Sequence, residues 1–393
     1  MIDDALAIQQ CYTQFDQVIE RRKTHSNKWN KYPTDTIPMW VADMDFQAPT
    51  AIKTALAQRL EEDVFGYTSP SEQLATAIIK HLTKHYQWSV LAKDLIYLPG
   101  LVCALHLSVR AFSSEGDGII VPSPVYYHLT KAAEFANREV LPVAMVLEEN
   151  RWLPDFALLE AACARPNSKM LLLCNPHNPG GTVYQKAELE RIQQLAQRYD
   201  LIVVSDEIHC DLLLNPEVSH TPFASINQDA ADRTITLMAP SKTFNIAGLG
   251  FAFAVIENNA LRQQFNHCQK GLIPSPNLFG LVAAQAAYED CDIWHKALLE
   301  YLRDNRAVIQ RRLKDTPLRL ASLDATYLEW IDASALGLAN PHAFFLKAGV
   351  AVSDGREFGN SQFLRLNFGC PRQLLDQALT RMIEAIDSHL IHA

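Results

Sequence analysis

Between about residues 70 and 256 the chain alternates short apolar runs with longer stretches of helical character. The runs are "DLIYLP" (94–99), "GIIVP" (118–122), "KMLLLC" (169–174), "LIVVS" (201–205), "TITLM" (234–238) and "GFAFAVI" (250–256). Several are apolar without alternation, which places both of their faces in a core and predicts a mostly parallel sheet of β/α units. "SPSE" (69–72) predicts a helix start, with Ser69 as cap, Pro70 in the first turn and Glu72 closing a capping box. After about residue 285 the pattern changes. A long amphipathic stretch passes through "LLEYLRDNRAVIQRRL", and short strands follow at "ATYLEWI", "GVAVS" and "FLRLNF". This change predicts a large domain over 48–285 and a smaller α+β domain over 286–393, with 1–47 as an N-terminal segment packing on the latter.

Composition narrows the possible roles. A chain of 393 residues, 48% hydrophobic and 20% charged, has the balance of a soluble globular protein and is too long for one ordinary core. Its 35 basic and 44 acidic side chains leave a formal charge of −9 without a basic run, which argues against nucleic acid as a partner. No window is apolar enough for a membrane span, and "MIDDALAIQQ" lacks the core of a signal peptide. The eight cysteines are scattered with no C-x-x-C pair, so neither a disulfide framework nor a zinc site is expected and a cytoplasmic location is.

The chemistry gathers at the ends of the apolar runs, where open α/β sheets bind ligands. "PG" (99–100), "NPHNPGG" (175–181), "SDEIH" (205–209) and "PSK" (240–242) each follow a strand. Taken singly they have plain readings: a turn, solvated loop carboxylates, a structural histidine, a surface lysine. "SKT" lacks the glycines of a phosphate loop. "GLVCAL" (100–105) is either a strand–helix junction or a helix N-terminus able to cradle phosphate. Together they match the needs of pyridoxal phosphate: a lysine amine, a carboxylate for the ring nitrogen, a donor to the ring oxygen, an aromatic ring and an anion site.

At this point the sequence resembles a known family. The ordered set Tyr67, Gly100, Pro124 to Tyr126, Asn178 and Pro179, Asp206 to His209, Lys242 and Arg365 resembles fold-type I pyridoxal-phosphate enzymes of the class I/II aminotransferase family. "MWVADMDFQAP", "FGYTSPSEQL", "NPHNPGG", "SDEIH" and "SKTFNIAGL" resemble its cystathionine β-lyase branch, the MalY/PatB type of carbon–sulfur lyase. The resemblance implies an α/β fold with a mostly parallel seven-stranded sheet between helices, plus the smaller α+β domain. It implies β-elimination of L-cystathionine or a related S-substituted cysteine to thiol, pyruvate and ammonia, with an aminotransferase as the alternative.

It also implies roles for particular residues. Lys242 is the covalent anchor of the cofactor and the acid/base; Asp206 faces the ring nitrogen; Asn178 bonds the ring oxygen, with His209 standing where many aminotransferases have a tyrosine. Tyr126 stacks on the ring, beside Tyr127 on the substrate side. The amides of Leu101 and Val102 and the Ser241 hydroxyl hold the phosphate. Tyr67 reaches the partner's site in a homodimer with shared active sites, and Arg365 grips the substrate carboxylate, as a planar fork suits. Ala239 and Gly250 stand where many aminotransferases place a serine and an arginine on the phosphate, a departure that favours the lyase branch. Trp40, Asp43 and Tyr67 are candidate walls for the β-substituent.

Overall fold

The computed structural model describes residues 2–392. Its larger sheet is built from β2 (Leu95–Leu98), β3 (Gly118–Ser123), β4 (Glu139–Glu148), β5 (Arg151–Pro154), β6 (Ser168–Cys174), β7 (Ile202–Asp206), β8 (Thr234–Met238) and β9 (Ala252–Val255), counting a first strand, β1 (Ile37–Met39), that lies elsewhere. The order is β2-β9-β8-β7-β6-β3-β4-β5. Neighbours from β8 through β4 are parallel, while β9, β2 and β5 join antiparallel. The apolar runs are its buried centre: Ile119, Ile120, Met170, Leu172, Val203, Val204, Ile235 and Leu237 are all sealed from solvent. Helices cover both faces, and the apolar Leu101–Phe112 helix is buried along most of its length.

Two details differ from the sequence reading. The sheet has eight strands, because "RWLP" folds back on the end of β4 as an edge hairpin whose turn places Glu149 and Asn150 at positive φ. The helix after Tyr67 starts at Glu72 with Ser71 as its cap, not Ser69. Both serines could cap, and the contacts select Ser71: its hydroxyl accepts from the Leu74 N–H at 3.0 Å and donates to Gln285 Oε1 at 2.9 Å.

The smaller sheet joins β10 (Arg319–Leu320), β11 (Leu328–Asp332), β12 (Val350–Asp354) and β13 (Phe363–Asn367) to β1, in the order β1-β12-β13-β11-β10. β1 lies parallel to β12, with Ile37 opposite Val350, so the two ends of the chain share one sheet. The Asp292–Leu313 helix buries Trp294, Leu298, Tyr301, Leu302, Asn305 and Ile309, a stripe at helical spacing that packs under this sheet.

The segment after β1 is fixed by polar pins. Buried Asp45 accepts from Arg21, Lys28 and Trp29 at 2.6, 2.7 and 2.7 Å, a cluster in which each charge is paired. Asn245 holds Met44 and Phe46 by three hydrogen bonds, and Asn367 donates to the carbonyls of Val41 and Asp43. Residues 41–46 thus form a strap tied to the loop after β8 on one side and to β13 on the other.

Candidate active site

The strap, the C-terminal ends of the large sheet's parallel strands and the small sheet enclose a cleft of about 990 Å³. Each parallel strand places its side chain by ending there: Tyr126 follows β3, Asn178 follows β6, Asp206 terminates β7 with His209 in the next turn, and Ser241 and Lys242 follow β8. The Leu101–Phe112 helix points its N-terminus into the same space, with Gly100 at the cap position and no side chain capping it. Its first amides and dipole make an anion site. From the small sheet come Arg365 of β13, Ser353 of β12 and, after β1, Trp40. Ten of the eleven residues singled out as site candidates line the cleft: Lys242, Asp206, Asn178, His209, Tyr126, Tyr127, Leu101, Val102, Ser241 and Arg365.

Tyr67 does not. It is fully exposed on its own chain, in a segment where Val64 and Phe65 are exposed too. Asp43 is also displaced from the wall: Arg21 Nη2 donates to it at 2.9 Å and it does not line the cleft. Trp40 does line it.

The electrostatics follow from burial. Lys242 Nζ donates to the Ala42 carbonyl at 2.7 Å. Burial, helped by the nearby Arg365 charge, lowers its pKa to about 8, with Asp43 and Asp206 pulling the other way. Asp206 is pushed up to about 7, chiefly by burial. Its side chain accepts one backbone hydrogen bond, from Ile208 at 3.2 Å. His209 is lowered to about 3 by burial and by the Lys242 and Arg365 charges, so its imidazole is neutral, and its Nδ1 is buried without a partner. Arg365 Nη1 donates to Asn178 Oδ1 at 3.0 Å, and its Nη2 donates to the Trp40 carbonyl and to Ser353 Oγ, each at 3.3 Å. An arginine only donates, so the Asn178 atom facing it is the oxygen and the amide N–H2 is left for a ligand. The guanidinium lies 4.5 Å from the Phe358 ring, and its Nε has no partner. Five basic side chains and two carboxylates line the cleft, in a chain of formal charge −9.

Sequence reasoning missed the strap and its pins. Asn245 and Asn367 occupy ordinary positions in "SKTFNIAG" and "FLRLNFG", and the Ala42 carbonyl has no signature in sequence. Tyr327, whose hydroxyl donates to that carbonyl at 3.1 Å, hid inside the strand "ATYLEWI".

The family model described as aminotransferase class I and II matches residues 34–382, and the chain belongs to that family. Cystathionine β-lyase PatB of Bacillus subtilis (strain 168) is 36% identical, over 95% of this chain and 99% of that protein. The crystal structure of OvoB superposes with a TM-score of 0.93 at 48% identity, over 95% of this chain and 98% of the other. The PLP-bound C-S lyase from Staphylococcus hominis does so at 0.89 and 30%, over 95% and 97%.

The unpartnered atoms suit pyridoxal phosphate. A buried carboxyl with a single amide donor, a neutral imidazole with an orphaned Nδ1, a free amide on Asn178 and an uncapped helix end are polar groups awaiting a polar ligand. Among the described residues no cluster of side chains could hold a metal, and no helix is long and apolar enough to cross a membrane.

Proposed function

We propose that the chain is a pyridoxal-phosphate-dependent carbon–sulfur β-lyase that takes a cysteine derivative with a sulfur leaving group, L-cystathionine or another S-substituted cysteine, to thiol, pyruvate and ammonia. The observation that carries the reading is the meeting of Lys242, Asp206 and Arg365 in one cleft, with the amine shifted toward neutrality and the guanidinium held by Asn178. The PatB relative is a cystathionine β-lyase and the Staphylococcus hominis neighbour a PLP-bound C-S lyase, which supports the same choice.

The cofactor, when bound, supplies an electron sink for negative charge developing at the substrate Cα. Asp206 is the carboxylate for its ring nitrogen, Asn178 and His209 the donors to its ring oxygen, and Tyr126 the aromatic neighbour. The amides of Leu101 and Val102 with the Ser241 hydroxyl serve its phosphate. Arg365 holds the substrate carboxylate by its fork. The Lys242 amine accepts the Cα proton, suited to it by a pKa of about 8. The Cβ–S bond then breaks with its electron pair leaving on sulfur, the Lys242 ammonium returns the proton to the thiolate, and the released 2-aminoacrylate takes up one water to give pyruvate and ammonia.

The exposed Val64, Phe65 and Tyr67 segment supports a homodimer in which Tyr67 serves the partner's site. Eight unpaired cysteines suit a reducing cytoplasm. Incubation of the purified holoenzyme with L-cystathionine and no oxo acid tests the reading: catalytic release of pyruvate and thiol is expected, and strict dependence on an oxo acid would assign an aminotransferase instead.

A further inference from the structure

The outer part of the cleft carries charges that the proposed chemistry leaves unused. Lys31 is exposed, rests its Nζ 4.1 Å from the Trp40 ring centre, and has no carboxylate partner among the described residues. Glu357 is exposed in the short turn after β12 and makes no hydrogen bond or ion pair among the described residues, its charge being felt by the Arg365 guanidinium across the cleft wall. Both line the same cleft as Arg365. The backbone ties them to it: the Trp40 carbonyl accepts from Arg365 Nη2, and Phe358, next to Glu357, supplies the ring under the guanidinium. Their neighbours are already engaged, since Arg356 pairs with Asp354 and Lys131 with Glu134. An ammonium resting over an aromatic face and a carboxylate without a hydrogen-bonded partner therefore line the same cleft as the carboxylate grip.

We infer that Lys31 with Trp40, and Glu357, form a distal subsite that recognises the far end of the sulfur substituent, and that the preferred substrate carries an amino-acid head there, its carboxylate toward Lys31 and its ammonium toward Glu357. The inference rests on the lyase reading above and names the class of leaving group: a thiol that is itself an amino acid. A small S-alkyl cysteine would satisfy Arg365 and leave both outer charges in water.

The test compares holoenzyme variants Lys31→Met and Glu357→Gln on four substrates: L-cystathionine, S-carboxymethyl-L-cysteine, S-(2-aminoethyl)-L-cysteine and S-methyl-L-cysteine. Each kcat/KM is divided by that for S-methyl-L-cysteine in the same variant, which cancels general damage. Loss of one charge-assisted contact is expected to lower that ratio about tenfold. Lys31→Met should do so for the carboxymethyl substrate, Glu357→Gln for the aminoethyl one, and both for L-cystathionine, chiefly through KM. Ratios that stay within about twofold of the parent, or that fall alike for both singly charged substrates, overturn the subsite while leaving the lyase reading intact. Absence of pyruvate from all four substrates would overturn the lyase reading and the subsite with it.

Discussion

The two walls of the cleft are made by different means. The large-sheet wall places one polar side chain at the end of each buried strand, so Asp206, Asn178 and Lys242 inherit their positions from strands sealed in the core. The small-sheet wall relies on one buried arginine whose partners are an asparagine, a serine and a backbone carbonyl. The first wall carries the titratable groups, and these are tuned by burial. The second is an orienting frame around a single fork. Chemistry can thus be kept constant on one side while the fit to substrate is adjusted on the other.

The largest effect tests the first wall. Lys242→Ala should lower turnover of every substrate by about 10³-fold or more, since proton transfer alone contributes about 10² to 10⁴. Retention of both turnover and the visible absorbance of bound pyridoxal phosphate would remove the lysine from its role. Arg365→Lys comes next. It keeps the charge but loses the fork, and kcat/KM should fall about 10²-fold, mostly in KM, with cofactor affinity unchanged. If cofactor affinity fell instead, the division between walls would be wrong.

A smaller effect comes from the strap. Asn245→Ala removes three hydrogen bonds to residues 44 and 46 and should destabilise the fold by about 1–3 kcal/mol, seen as a lower midpoint in denaturant with unchanged slope. The smallest concerns Asp206 in protein stripped of cofactor. Its pKa rises from 3.8 to about 7, so the folded chain keeps a proton that the unfolded chain gives up between about pH 4 and pH 7. Stability contributed by this group is complete below pH 4 and is lost as pH rises through 7. Asp206→Asn should therefore melt higher than the parent above pH 7, by about 3 °C, with the difference vanishing below pH 4.

These walls were not equally legible in the sequence. Asp206, Asn178 and Lys242 could be read because a polar residue at the end of an unbroken apolar run has few structural reasons to be there. Arg365 could be read for a related reason, a cation inside "FLRLNF". The strap could not, because its contribution is made by main-chain carbonyls at Trp40 and Ala42, and any residue type carries a carbonyl. Its pins, Asn245 and Asn367, sit beside recognised residues but act across some two to three hundred positions, beyond any local pattern. The cap at Ser71 was misplaced by two residues because both serines offer a hydroxyl at a suitable spacing, and Gln285, far along the chain, holds the one that is used.

The strap has a consequence for biosynthesis. As the chain leaves the ribosome from its N-terminus, Ile37 must wait for Val350, and the Val41 carbonyl for Asn367, before either is satisfied. The large sheet can assemble in the meantime, but without Arg365 it presents half a cleft. Completion of the site therefore waits for synthesis of β13, and a polypeptide truncated before it would carry the cofactor's lysine with nothing opposite it to hold a substrate.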